Sequence, residues 1–198
     1  MANKVKYGLK NVHWAIATES SSLGVTTTSY GTVTAWLGAV SLEINPNSSD
    51  ATVFRADDSD YYIVSGSSQG FDGTYECAYI PEKVETDVLG AQKDKNGVVC
   101  EYDSDTVNYV ALLFEIDGDQ AGRRYLVPKV KFAKPSISAE TTGTDGNQPK
   151  TASLSFTASP RPDDGLARIH TGDTTDTATY NGWFSTVYTP TFTAQGGQ

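Results

Sequence analysis

The sequence predicts a mainly β fold, and two observations support this prediction. Thr, Gly and Tyr are abundant, with 24, 18 and 11 residues; Thr and Tyr suit a pleated, half-buried surface, and Gly suits the turns between strands. Apolar and polar residues alternate in several segments, for example 129–132 and 153–157, as in antiparallel strands with one buried face. We therefore expect two packed antiparallel sheets, forming a sandwich or barrel, rather than a helical bundle or a doubly wound α/β enzyme.

Strand patterns recur along most of the chain. The predicted strands lie near 12–18, 32–44, 51–56, 61–64, 71–80, 98–102, 108–116, 123–127, 129–132, 153–157 and 182–188. Asn45-Pro46-Asn47 is predicted to break a strand because proline lacks the backbone donor that a ladder needs. Residues 57–60 are predicted to form a polar turn, so the segment from Asn45 to Tyr62 is expected to be a long hairpin loop.

One short helix is predicted at 81–90. Pro81 suits the first helical position, and Glu82 and Glu85 complement the positive end of the helix dipole. Val84 and Val88 share one face of this helix. At 198 residues, the chain fits a single domain covering 1–198. Within it we expect a flexible N-terminal arm at about 1–10, a mobile loop at about 140–150 and a frayed C-terminus at about 190–198.

Charge is distributed unevenly along an acidic chain of formal net charge −9. Residues 43–119 carry 17 acids and four bases, a balance of −13, whereas residues 120–134 carry five bases and no acid. This excludes a basic nucleic-acid footprint for the whole chain. It predicts acidic and basic zones that meet on neighbouring copies, with Lys129 and Lys131 of the basic strand facing outward for that purpose.

The sequence offers little for catalysis. Residues 66–70 match the G-x-S-x-G motif around Ser68, but the elbow needs a helix after the serine, and the following residues alternate as a strand. His13 and His170 lack Cys, Asp or Glu at metal-ligand spacing. Cys77 and Cys100 are expected to be reduced thiols. We predict that the protein is not an enzyme and has no catalytic, cofactor-binding or metal site.

Other site types and targeting segments are also not indicated. The acidic runs 57–60 and 117–119 lack the ligand ladder of a calcium loop, and no phosphate-binding or dinucleotide fingerprint occurs. The longest apolar run, 110–114, is far shorter than the about 20 residues of a membrane span, and no secretory signal is expected. Two alternatives remain open: a β-sandwich carbohydrate-binding or adhesin-type module, and a hydrolase using Ser68. The first would present tryptophans and tyrosines on a flat exposed platform, and the single, scattered positions of Trp14, Trp36 and Trp183 weaken it.

The order of several segments resembles the major tail proteins of long-tailed phages of Gram-positive bacteria. The opening 6–15 (KYGLKNVHWA) and 39–42 (AVSL) are followed by an acidic hairpin with 55–58 (RADD) and Tyr61. Further matches are 70–73 (GFDG), 80–81 (IP), 94–98 (DKNGV), 148–156 (QPKTASLSF) and 160–165 (PRPDDG). The resemblance covers about residues 5–190, and its weight comes from the order of weak matches.

This resemblance implies a structural virion protein with the phage tail tube fold. In that family six copies form a ring, and rings stack around a tape-measure protein into a tube through which DNA later passes without specific binding. The expected partners are further copies of the chain, the tape-measure protein, and the tail-tip and tail-terminator proteins, with no membrane. The resemblance implies a location in the virion tail after assembly in the host bacterial cytoplasm, and no cofactor.

Overall fold

The structure is a computed structural model that describes residues 8–48, 52–64, 68–117, 122–137, 139 and 150–192. Thirteen strands and two short helices lie within these residues. The strands are β1 (Leu9–Ser22), β2 (Val25–Tyr30), β3 (Thr34–Ala35), β4 (Ala39–Ser48), β5 (Thr52–Ala56), β6 (Ser59–Val64), β7 (Ser68–Cys77), β8 (Gln92–Lys93), β9 (Val99–Cys100), β10 (Val110–Ile116), β11 (Arg123–Phe132), β12 (Ala152–Ala158) and β13 (Ile169–His170). The helices are α1 (Glu82–Asp87) and α2 (Thr177–Gly182). The predicted mainly β class is confirmed.

Antiparallel pairing joins nine strands: seven follow one path, β2-β1-β10-β11-β12-β7-β4, and off this path β3 pairs with β1 and β13 pairs with β11. The strands form two layers, and the strand β11 belongs to both of them. Its first half, up to Val127, pairs with β10, and Val130 to Phe132 pairs with β12. Pro128 lies in the bulge between these halves, where a missing backbone donor is tolerated. The single strand replaces the two predicted at 123–127 and 129–132.

We call the two layers sheet I (β4, β7, β12 and the second half of β11) and sheet II (β2, β1, β3, β10, β13 and the first half of β11). Their facing side chains form the main core. Trp36, which follows β3 of sheet II, packs edge-on against Tyr75 of sheet I, with ring centroids 4.8 Å apart. Phe132 contacts Trp36 and Phe156, so aromatic rings fill the space between the layers.

The helix α1 follows β7 and closes one side of this core. Val84 and Val88 are buried. Pro81 is the N-cap in an extended conformation, not the first helical residue as predicted, and Val88 is the C-cap, so the helix is shorter than the predicted 81–90. Gly90 has a positive φ of 83°, and a Cβ there would lie 2.5 Å from the carbonyl oxygen of Thr106.

The strands differ from the prediction at four places. The break at Asn45-Pro46-Asn47 is absent, since β4 runs to Ser48 with Pro46 opposite Phe71 and a bulge beside it; proline is tolerated because β4 is an edge strand. The segment 182–188 is not a strand but follows the helix α2. The strand β2 was not predicted at all, because its residues, VTTTSY, lack buried apolar alternation. The predicted strand 32–44 is divided into β3 and β4.

Several predicted segments lie outside the described residues. These are the N-terminal arm up to residue 7, the loop 140–149, the C-terminus from 193, and Gly66 and Ser67 of the serine motif. None of the described helices is long and apolar enough to cross a membrane.

Candidate functional site

The two sheets differ in what covers their outer faces. Sheet II is buried on both sides at its centre, as the burial of β10 from Val110 to Glu115 shows. A second cluster containing Leu113, Leu126 and Trp183 lies on its outer side. The centre of the outer face of sheet I carries polar residues, and no segment in the described part of the chain covers it. This open face is the most extensive candidate functional surface in the described residues.

The cover of sheet II is the C-terminal segment 177–188, which we call the strap. Trp183 is 3% exposed and donates from Nε1 to the carbonyl of Tyr125 at 3.4 Å. The guanidinium of Arg124 lies 3.9 Å from the ring centroid of Tyr180. Phe184 stacks on His13 with centroids 4.7 Å apart. The strap therefore makes sheet II an internal layer, leaving sheet I as the layer with a solvent-facing side.

Small polar side chains cover the centre of the open face. Strand register arranges them in three rows across the strands. The rows are Lys131, Thr157, Asp72 and Asn45; Ser155, Thr74 and Glu43; and Ser153, Glu76 and Ser41. Three carboxylates against one lysine make this central face acidic. Side chains alternate between the two faces of a strand, so the intervening apolar residues point into the core and these polar residues lie on the outer face.

Hydrogen bonds anchor the carboxylates of the open face. Ser41 Oγ donates to Glu76 Oε2 at 2.9 Å, and Asn47 Nδ2 donates to Asp72 Oδ2 at 2.8 Å. Thr151 also donates to Glu76. The hydrogen bonds from Thr151 and Ser41 lower the pKa of Glu76 because they favour the ionised carboxylate. Glu76 is therefore ionised at neutral pH.

The open face ends at a free edge. Among the described strand pairs, β4 pairs only with β7. On its other side, alternate residues of β4 direct backbone groups away from β7, although Pro46 has no N–H to donate. Such an edge is a template for another strand.

A two-stranded ribbon, β5 with β6, lies between β4 and β7 in the order of the chain. We call it the aromatic ribbon. Phe54 is opposite Tyr62 across the ribbon. Phe54 is 61% exposed, Tyr62 is 64% exposed and Tyr61 is 72% exposed. Val53 is 44% exposed. Asp57 and Asp58 form its turn with positive φ of 52° and 56°, in accord with the polar turn predicted there. A ribbon of two strands has little stability alone, so its exposed rings indicate a contact surface.

The structure keeps the residues examined for chemistry apart. Ser68 begins the strand β7, so the strand–turn–helix context of a nucleophile elbow is absent there. His13 Nδ1 is 2.8 Å from the carbonyl oxygen of Asn11, and His170 lies beside Tyr125. Cys77 is buried, Cys100 is half-buried, and both are free thiols. Within the described part of the chain, no group of three or more His, Cys, Asp or Glu side chains could hold a metal ion.

The tryptophans do not form a binding platform. Trp14, Trp36 and Trp183 are 2%, 1% and 3% exposed, so each belongs to a core cluster. These three tryptophans therefore do not form the exposed platform that a carbohydrate-binding module would need.

The expectation that Lys129 faces outward is wrong. Its ammonium forms an ion pair with Glu19 of the same chain, and its side chain is only 12% exposed. It also lies 4.5 Å from the ring centroid of Tyr109. Lys131 points the same way but remains exposed. The tertiary fold brings Glu19 to Lys129 across more than 100 residues of sequence, so local charge counting could not reveal this pair.

Comparisons with known proteins do not assign the chain to a family. No protein-family model matches it, and no curated protein matches it significantly.

Proposed function

We propose that this protein is a tail tube protein, a structural subunit that self-assembles into stacked hexameric rings through which phage DNA passes. The observation that carries the proposal is the open, acidic outer face of sheet I next to the unpaired edge of β4. The hexameric ring and the stacking of rings are inferred from the order of sequence segments, which resembles that of the major tail proteins. The role requires no catalytic group, metal or cofactor.

The chemistry of the open face suits the wall of a water-filled channel. Ser155 and Thr74 at its centre are exposed hydroxyl residues, which offer little to an apolar partner but remain well hydrated. Glu43, Asp72 and Glu76 repel phosphate, whereas a cationic wall would bind DNA by counterion release and slow its passage. A face that is extended, polar and acidic therefore lets DNA slide without binding.

The free edge of β4 suits ring closure. If a strand of the next copy pairs with β4, and each copy does the same, the edge is satisfied around the ring. Such head-to-tail interfaces close into rings when the rotation between copies divides a full turn. In this proposal the tape-measure protein occupies the channel before DNA, and the tail-tip and tail-terminator proteins bind the two ends of the tube. The protein is then located in the virion tail after assembly in the host bacterial cytoplasm.

The alternative function is a β-sandwich carbohydrate-binding or adhesin-type module. Its remaining support is the exposed rings of Phe54, Tyr61 and Tyr62. We favour the tube because the central open face of sheet I lacks the aromatic rings on which sugars stack.

Electron microscopy with cysteine labelling tests the proposal. Concentrated protein is expected to form rings or hollow tubes in negative stain. In a C100S background, Ser155→Cys in the free subunit should react with small and bulky maleimides alike. In tubes with closed ends, it should react only with reagents small enough to enter the channel. Equal labelling of tubes by a bulky reagent would place the open face outside the channel, and a monomer that binds immobilised glycans would favour the alternative.

A further inference from the structure

We infer that this chain binds a medium-chain aliphatic carboxylate, with the alkyl chain between the two sheets and the carboxylate on Arg168. The inference goes beyond the proposed function and does not depend on it. The site is a cavity of about 330 Å³, which we call the end cavity because it lies where β1 begins and β10 ends. Its apolar lining residues are Leu9, Leu42, Ile44, Phe114, Ile116 and Tyr125.

Both sheets contribute walls to the end cavity. Sheet I supplies two side chains of β4 that are two positions apart and therefore point to the same side of the strand. In sheet II, Leu9 and Ile116 are register partners, as are Phe114 and Tyr125. The rings of Phe114 and Tyr125 stack with centroids 5.1 Å apart. The cavity is thus a slot between two apolar layers, which suits a hydrocarbon chain.

The aliphatic side chains at the end cavity are less completely covered than the centre of the core. Leu9, Leu42, Ile44 and Ile116 pack against the main core but are only half-buried. Close-packed interiors contain few voids larger than a water molecule, whereas ligand sites are mostly apolar clefts of about 300 Å³ or more with a few polar groups. The end cavity therefore has the size and the lining of a small-molecule site.

Arg168 supplies the polar group. It is the one charged side chain among the described residues that line the end cavity, and it is exposed. Its guanidinium lies 4.9 Å from the ring centroid of Phe71 and forms no ion pair within the described part of the chain. Glu115 and Asp117, at the same end of β10, pair with Lys10 and do not line the cavity. An unpaired cation beside an apolar cavity favours an amphipathic anion.

The dimensions of the end cavity set the length of the ligand. A methylene group occupies about as much space as a water molecule in the liquid, roughly 30 Å³, so the cavity holds roughly ten such groups. One guanidinium balances one negative charge, and its planar fork donates two parallel hydrogen bonds to a carboxylate. A fatty acid of about eight to ten carbons meets both requirements.

A chain-length series tests the fit of the alkyl chain. Calorimetric titration of the free subunit with hexanoate, octanoate, decanoate and tetradecanoate, each below its aggregation concentration, should show one site per chain. Affinity should rise about tenfold for each two-carbon step up to decanoate, because each buried methylene strengthens binding. Tetradecanoate should gain little more, since its extra carbons stay in water. Absence of decanoate binding, or a steady gain up to tetradecanoate, would overturn the inference.

Substitution of Arg168 tests the recognition of the charge. Arg168→Gln should weaken octanoate binding about fivefold and leave the affinity for octanol unchanged, because the apolar walls are intact. Lys95→Gln is the matched control, since it removes an equal charge from an exposed position in the turn between β8 and β9. An equal loss of octanoate affinity in both variants, or an equal loss for octanol in Arg168→Gln, would overturn the inference.

Methyl NMR of the unchanged chain locates the ligand without any substitution. Octanoate should shift the methyl signals of Leu9, Leu42, Ile44 and Ile116. The signals of Leu23, which is 102% exposed at the turn between β1 and β2, should not move. Shifts at Leu23 without shifts at the end cavity would place binding on open surface and overturn the inference. None of these outcomes bears on ring formation, so each leaves the proposed function unchanged.

Discussion

Arg124 and Glu115 face each other as register partners on β11 and β10, and Arg124 Nε donates to Glu115 Oε2 at 3.2 Å. Both side chains are largely buried, at 16% and 6% exposure. Asn11 Nδ2 also donates to Glu115 at 2.9 Å, and Arg124 donates to the carbonyl of Tyr180 in the strap. One ion pair therefore links the ladder of sheet II to the segment that covers it.

Arg124→Met is expected to destabilise the protein by about 1–3 kcal/mol, because the buried carboxylate of Glu115 loses one of its two cationic partners and keeps Lys10. The strap should also become more sensitive to proteolysis, since its contact at Tyr180 is lost. Denaturant unfolding measures the first effect, and limited chymotrypsin digestion, which cleaves after the Tyr, Trp and Phe residues of the strap, measures the second. The double variant Glu115→Gln with Arg124→Met should be more stable than Arg124→Met alone. Additive losses would show that the two residues act separately.

Gly73 is expected to tolerate no side chain. It lies on the core side of β7, where a Cβ would be 2.4 Å from Phe156 Cζ and 2.2 Å from the carbonyl oxygen of Glu43. Gly73→Ala should cost about 1–3 kcal/mol of stability by overpacking, seen as a lower melting temperature. Gly182→Ala is the control, because nothing lies within 4 Å of the added Cβ. Equal melting temperatures for the two variants would contradict this account.

Acid should weaken the turn that follows β12. Arg161 is 4% exposed and donates from Nε to Asp164 Oδ1 at 2.9 Å. This contact, aided by the N–H of Leu166, lowers the pKa of Asp164. Because the folded pKa is below the unfolded value of about 3.9, the stabilisation is complete above that value and is lost as pH falls through the folded pKa.

Asp164→Asn should therefore reduce stability at pH 7 and flatten the stability loss below about pH 4. The carboxylate is 38% exposed, so solvent screening keeps the effect small, at about 1 kcal/mol or less. Thermal melts from pH 7 down to pH 3 measure both quantities. An unchanged acid slope would assign the pH dependence to other carboxylates.

Hydrogen exchange should separate the aromatic ribbon from sheet I. In the free subunit, amides at 53–62 should exchange quickly, because two strands alone give little protection. Amides of β4 that pair with β7 at 42–45 should exchange slowly. In tubes, the ribbon should become protected. Slow exchange of the ribbon in the free subunit would show that it is part of the folded core.

The free subunit should not bind duplex DNA, even at about 50 mM salt, where electrostatic binding is strong. The expected reason is the acidic open face. The triple variant Glu43→Lys, Asp72→Lys and Glu76→Lys should then produce a gel shift at low salt that disappears as salt is raised. A shift with the unchanged chain would contradict an acidic channel wall.

The sequence by itself determined the fold class, most strands and the location of the helix α1. It could do so because these signals are local. The alternation of apolar and polar residues indicates the strands, and Pro81 with the shared face of Val84 and Val88 indicates the helix. It also showed that sheet I would have one polar face, since Ser153, Ser155 and Thr157 alternate with apolar residues. These properties depend on the backbone period and not on which strands meet.

Only the tertiary structure decided which face stays open and which is covered. The sequence of residues 182–188 does not by itself distinguish the strap from a strand. The difference depends on Trp183, which is buried against Leu113 and Leu126, two residues that are distant in sequence. Pro46 fits in β4 because that strand lies at an edge, and Lys129 is paired because the fold brings Glu19 to it. Each outcome depends on partners far away in sequence, and the free energy of burial or pairing depends on those partners and not on the residue alone.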